Sequence, residues 1–205
     1  IFILRNPIDR YVSHFNWMKG LGIEKRSIDE MIREDKLADF QEYDDYPKQY
    51  YQFGLYNKWI SRFIENFGIE NIKIVTFEKL ISDRLSVVND CFDFLGVERL
   101  NKIENIKSNK TNKIIFPTIY HFLRKSSTGK MKFTKITKYF IPMKIRIKIK
   151  NLIKKIIQNW IKIDSQNQII SENQREILRD RYYNDVISLK NILKYNFSEW
   201  EDFKN

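Results

Sequence analysis

Ile1-Phe2-Ile3-Leu4 is a short, unbroken apolar run, the pattern of a strand covered on both faces in a parallel sheet. It stops at Arg5-Asn6-Pro7-Ile8-Asp9-Arg10. There Asn6 suits a helix cap and Pro7 the first helical position, and Asp9 occupies the partner position of a capping box. A strand, a sharp turn and a helix running through Tyr11, Phe15 and Met18 toward Gly20-Leu21-Gly22 are therefore expected. The polar stretch from about Glu24 to Lys48 carries short helical patches at best and is expected to cover the site. From Tyr50 to Phe67, Phe53, Tyr56, Ile60, Phe63, Ile64 and Phe67 recur at helical spacing, so a core-facing helix ending at Gly68 is predicted.

Asn71 to Phe77 is rich in β-branched residues and predicts a second strand. A turn around Ser82-Asp83 and a helix closing at Phe94-Leu95-Gly96 follow it. Strand and helix alternate, as in an α/β fold. Between Glu104 and Asp164 no acidic residue occurs, and Ile149, Leu152, Ile153, Ile156, Ile157, Trp160 and Ile161 lie on one helical face with lysines opposite. Residues 105–165 are accordingly expected to form a basic helical segment. Ser171 and Gln174 make a second capping box, which opens a helix through Ile177, Leu178, Tyr182, Val186 and Leu189 to Leu193. The C-terminal half thus reads as mainly helical.

The chain's 205 residues, 42% of them hydrophobic, favour one domain over residues 1–205. Starting within a strand, the sequence is expected to be truncated, with strands of the same fold upstream of Ile1. Cys91 lies in an apolar run and reads as a small buried hydrophobe, and one cysteine permits no intrachain disulfide. His14 and His121 are far apart and no Cys-x-x-Cys occurs, so no metal is expected. The net charge of +11 suits a phosphate-rich partner, although a composition rich in Ile, Lys and Asn weakens that reading. No apolar stretch approaches the roughly twenty residues that span a bilayer, so what is present reads as soluble; the absence of disulfides favours a cytoplasmic protein, with the lumenal domain of an anchored enzyme as the alternative.

Two residues combine into candidate chemistry. Arg5 stands at the carboxyl end of the predicted strand, beside the amino terminus of the helix that starts at Asn6, and both features favour an anion. Ser13, about two turns beyond the cap, returns to nearly the same face and can offer a hydroxyl to a phosphate. The alternative is a surface Arg5–Asp9 pair with Ser13 as a small helical residue.

The segment from Ile3 to Phe15, with its strand, Arg5-Asn6-Pro7 turn and Ser13, resembles the 3′-phosphate-binding motif of sulfotransferases that use 3′-phosphoadenosine 5′-phosphosulfate (PAPS). Gly54-Leu55-Tyr56 resembles that family's Gly-x-Tyr helix. Ile72 to Leu80 followed by Phe94-Leu95-Gly96-Val97 is similar to its strand, Phe-Glu-x-Leu and Phe-Leu-Gly pattern. Leu178 to Trp200 resembles the closing helix and terminal tryptophan of many members.

The resemblance implies a three-layer parallel sheet of the P-loop nucleotide-binding type, incomplete at the N-terminus, in a partial sulfotransferase domain. The loop that binds the 5′-phosphosulfate precedes the first strand in that family, and no catalytic base is carried onto any residue here. What the resemblance does imply is PAPS as co-substrate, Arg5 and Ser13 on its 3′-phosphate, no metal, and a fragment inactive alone. Tyr56 and Glu78 read as structural, and His14 as a packing or surface residue. Neither Lys110, a possible nucleotide contact, nor Phe53, a possible adenine stack, is taken as a site residue.

The Arg-Asn-Pro-x-Asp-Arg-x-x-Ser form resembles the carbohydrate-modifying branches, which implies a saccharide or glycan acceptor. The basic stretch from Lys107 to Lys162 could guide an anionic polysaccharide or touch an anionic membrane surface; its plainer reading is a solvated helix back. Three other readings stay open: a nucleic-acid-binding module, which would give Arg5 and Ser13 no special part, a metal-dependent nucleotide kinase, and a non-catalytic relative that binds a partner.

Overall fold

The computed structural model describes residues 1–35, 49–103, 112–114, 143, 145, 147–148, 151–152, 161–163 and 169–204. The apolar run Phe2–Leu4 is strand β1. It pairs in parallel with β2, Ile74–Thr76, with Phe2 opposite Ile74, Ile3 opposite Val75 and Leu4 opposite Thr76. Parallel strands need a crossover, and the chain between these two carries α1 (Pro7–Gly20), α2 (Ile28–Glu34) and α3 (Tyr56–Phe67). The arrangement is α/β. Coverage of β1 differs from the expected burial on both faces: Leu4 is buried but Ile3 is 59% exposed. Successive side chains of a strand point to opposite faces, so only one face of β1 is covered among the described residues.

Two compact units are present. The first comprises Ile1–His14, Arg26–Ser108 and Gln168–Asn205, the second Phe15–Lys25 and Asn109–Asn167. The first unit is organised around the β1–β2 pair and a long helix near the end of the chain. After β2, the Thr76 hydroxyl accepts the Lys79 N–H and starts α4, Phe77–Ser82. The strand is shorter than the Asn71 to Phe77 that the sequence predicts: Asn71 lies in a single turn of 3-10 helix, Ile69–Asn71, and Phe77 in the capped first turn of α4. The Asp83 carboxylate then caps α5, Arg84–Leu95, and Gly96, in the left-handed conformation at φ 67°, ends it as expected.

The long helix is α6, Glu172–Leu193. The capping box predicted at its start is present: the Ser171 hydroxyl accepts the Gln174 N–H, and Gln174 Oε1 accepts the Ser171 N–H at 2.7 Å. Leu178, Tyr182, Val186 and Leu189 form its wholly buried stripe, and α6 packs on α3 and α2. On α3 only Tyr56 and Ile60 are buried; Phe63 and Phe67 are 43% and 61% exposed, so the core-facing stripe ends halfway along the helix. Helix α2 opens with a Ser27–Glu30 capping box inside the stretch that reads as mostly irregular.

In the second unit, β3 (Asn112–Ile114) pairs antiparallel with β4 (Ile161–Ile163), Asn112 opposite Ile163 and Ile114 opposite Ile161. This corrects the expectation of a helical segment over residues 105–165 at both Asn112–Ile114 and Ile161–Ile163, including the helix read through Ile161. Residues 143, 145, 147, 148, 151 and 152 are helical as predicted, but over only three residues an alternating strand and the edge of a helical stripe read alike. Among the described residues no helix is long and apolar enough to cross a membrane.

Candidate functional site

The turn between β1 and α1 is held from every side by backbone and side-chain groups. Asn6 is 3% exposed and caps α1: its Oδ1 accepts the Ile8 N–H at 3.0 Å, and its carbonyl accepts the Arg10 N–H at 2.9 Å. The reciprocal half of the predicted capping box is not formed by Asp9. The Asn6 N–H instead donates to Glu78 Oε1 at 2.8 Å, a carboxylate 72 residues away at the start of α4. The neighbouring carbonyl, that of Arg5, accepts the Tyr56 hydroxyl at 2.9 Å from the start of α3. Both edges of the Arg5–Asn6 peptide group are thereby fixed by tertiary contacts.

Tyr56 and Glu78 thus have the structural parts expected of them. Burial pushes the Tyr56 phenol up to about 12 against the opposing pull of the Arg10 charge, so it is a neutral donor near pH 7. The Gly-x-Tyr spacing has a further cause at Gly54. A Cβ there would lie 2.6 Å from the wholly buried Tyr182 hydroxyl, so only glycine admits α6 this closely. Glu78 Oε2 accepts the Trp200 indole N–H at 3.2 Å, which gives the terminal tryptophan a specific partner.

On this rigid turn, Arg5 is half-buried with its guanidinium over the Phe77 ring, 5.1 Å from the centroid. Among the described residues no carboxylate pairs with it. Asp9, the partner of the alternative reading, instead accepts from Arg175 at 3.0 Å. Ser13 lies on α1, in the same unit, and is exposed. A cation that no described carboxylate pairs with, a helix amino terminus and an exposed hydroxyl therefore lie along one strand–turn–helix segment, an arrangement suited to a dianion.

The surroundings are aromatic and basic. One Arg10 guanidinium nitrogen donates to the Tyr50 carbonyl, and the other terminal nitrogen is 3.5 Å from His14 Nδ1. His14 packs edge-on against Tyr50 at 4.7 Å and Phe53 at 5.8 Å, the packing role expected for it. Phe53 is half-buried in that cluster, and Lys110 lies outside the described residues. Among the described residues no three His, Cys, Asp or Glu side chains gather as a metal site would require.

Sequence reasoning missed the C-terminal contributors. The Asn6 Nδ2–H donates to Asp202 at 2.6 Å, and Arg175 donates Nε–H and Nη2–H to the two oxygens of that carboxylate, each at 2.6 Å. The resemblance of Leu178 to Trp200 to a closing helix and terminal tryptophan marked this part of the chain as patterned, but not as a partner of the turn.

A family model described as the sulfotransferase domain matches residues 1–166. The chain belongs to the sulfotransferase family. No curated protein matches it in sequence. A crystal structure of a sulfotransferase from Alicyclobacillus acidocaldarius superposes with a TM-score of 0.58 at 20% identity, over 97% of this chain and 55% of that one. The likeness is one of fold, and the chain spans just over half the length of that sulfotransferase.

Proposed function

We propose that the protein transfers a sulfuryl group from PAPS to a hydroxyl or amine of an acceptor, with Arg5 and Ser13 on the donor's 3′-phosphate. The observation that carries this reading is the guanidinium of Arg5. It is rigidly mounted at the head of α1, free of any carboxylate among the described residues and followed two turns later by an exposed serine hydroxyl. Arginine offers a planar fork to phosphate oxygens, and a half-buried Arg without an anion is unfavourable, so the site selects donors that carry the 3′-phosphate. Sulfotransferase membership and the related fold supply the reaction class.

In that reaction the acceptor's nucleophilic atom bonds to sulfur, the sulfur–oxygen bond to the 5′-phosphate breaks, and adenosine 3′,5′-bisphosphate departs. The base that takes the acceptor's proton is assigned to no residue of this chain. Arg5 and Ser13 bind and orient, and in-line group transfers of this kind draw most of their catalysis from positioning and charge stabilisation. The Arg-Asn-Pro-x-Asp-Arg-x-x-Ser form favours a saccharide or glycan acceptor. The lysines between Lys107 and Lys162 are suited to guiding an anionic chain, or to peripheral contact with an anionic membrane.

Calorimetric titration of the full-length protein with adenosine 3′,5′-bisphosphate and with 5′-AMP tests the donor site. Preference for the bisphosphate is expected, and Arg5→Ala should weaken its binding ~30-fold or more while leaving 5′-AMP nearly unchanged. Equal binding of the two nucleotides by the unaltered protein would refute the reading. A chelator should leave transfer unaffected, and an acceptor screen then separates saccharides from other hydroxyl compounds.

A further inference from the structure

We propose that Asp202 is a positioning residue for Arg5: by fixing the Asn6 side chain it holds the turn from which the guanidinium reaches the donor's 3′-phosphate. The inference rests on the donor-site reading above. It concerns a segment beyond the residues matched to the family, since the match ends at residue 166 and the turn's C-terminal partners lie between Arg175 and Asp202.

Asn6 makes four hydrogen bonds from a nearly inaccessible position, and each depends on the others. Its Oδ1 must face the Ile8 N–H for α1 to be capped, so its Nδ2 must face the opposite way, where Asp202 Oδ2 accepts at 2.6 Å. Without that acceptor the amide loses its reason to keep this orientation, and a buried N–H is left unpaired. Arg5 and Asn6 share one peptide group, whose carbonyl accepts from Tyr56 and whose N–H donates to Glu78, so a displaced Asn6 strains both contacts and with them the placement of Arg5.

The carboxylate itself is prepared for this part. Its side chain is 3% exposed, and its charge is met by the bidentate Arg175, with Arg179 3.7 Å away. Arg175 also reaches Asp9, closing a ring Asn6–Asp202–Arg175–Asp9 around the first turn of α1. Arg175 thus satisfies both acidic groups at the head of α1. A site supported in this way keeps its first contacts in place without adding a group that touches the ligand.

The test is titration of the full-length protein and its variants with adenosine 3′,5′-bisphosphate and 5′-AMP. Asp202→Ala should weaken the bisphosphate ~10-fold while 5′-AMP changes less than about twofold, and Asp202→Asn, which keeps the shape and one acceptor oxygen, should recover part of the loss. In an Arg5→Ala background, Asp202→Ala should cost little more, since it acts through the absent guanidinium. Equal weakening of both nucleotides, no weakening of either, or a fully additive loss in the Arg5→Ala background overturns the proposal while the donor site stands. Absence of any bisphosphate preference in the unaltered protein overturns both. Should Asp202→Ala fail to fold, Asp202→Asn alone decides, by whether its loss falls on the bisphosphate only.

Discussion

Asp35 and Asp202 are carboxylates drawn from water into the first unit, and they titrate in opposite senses. Burial pushes Asp35 up from its ordinary 3.8 to about 6, although the Tyr51 N–H at 2.8 Å, the Tyr11 hydroxyl, Arg181 and Arg26 all pull it down. The folded state therefore binds more protons than the unfolded state between about pH 4 and pH 6, and this residue's contribution to stability falls as pH rises through that window. At Asp202 burial also acts upward, but hydrogen bonds from Arg175 and Asn6 outweigh it and its value lies below 3.8. Its stabilisation is complete above 3.8 and is lost as pH falls through the lower folded value. Asp35→Asn keeps an acceptor for the Tyr51 N–H and removes the buried charge. Urea midpoints across pH 4 to 7 should show the variant gaining on the parent as pH rises, by up to ~3 kcal/mol. An unchanged difference across that range would contradict the assignment.

At the level of elements, helix caps divide into those written locally and those supplied from afar. Ser27–Glu30 and Ser171–Gln174 are boxes of four residues with both partners within one turn, so the spacing rule that predicts the second fits the first equally. Helix α3 has no local cap, since Leu55 precedes it; the Asp185 carboxylate of α6 accepts the Asn57 and Lys58 N–H groups at 3.0 and 3.3 Å instead. Burial raises Asp185 despite those bonds, so it is held there by geometry rather than by charge alone. Asp185→Ala should destabilise the unit by about 2 kcal/mol in chemical denaturation, because it uncaps α3 and weakens its seat on α6. The α1 cap divides in the same way. Asn6 and Pro7 announce a helix start, but the partner of the Asn6 N–H is Glu78, and the Asp9 that local spacing recommends is taken by Arg175.

Across the whole first unit, the last described residues close back on the first. Trp200 is wholly buried, stacks on Phe197 at 4.1 Å between centroids and donates to Glu78, while Lys79 pairs with Glu199 at 2.8 Å. Trp200→Leu should cost about 3 kcal/mol in urea unfolding, combining lost burial with an unpaired Glu78 oxygen. Local chemistry along the chain was enough for β1, the Arg5-Asn6-Pro7 turn, the α6 capping box and the glycine at the end of α5. Each of these depends on residues within a few positions of one another, where backbone geometry alone relates them. The extent of β2, the antiparallel β3–β4 pair, the exposed end of α3 and the carboxylates that secure the turn were settled only by tertiary packing. Asn6 and Asp202 are 196 residues apart, and no periodicity or spacing connects two polar side chains across such a distance until the core brings them together.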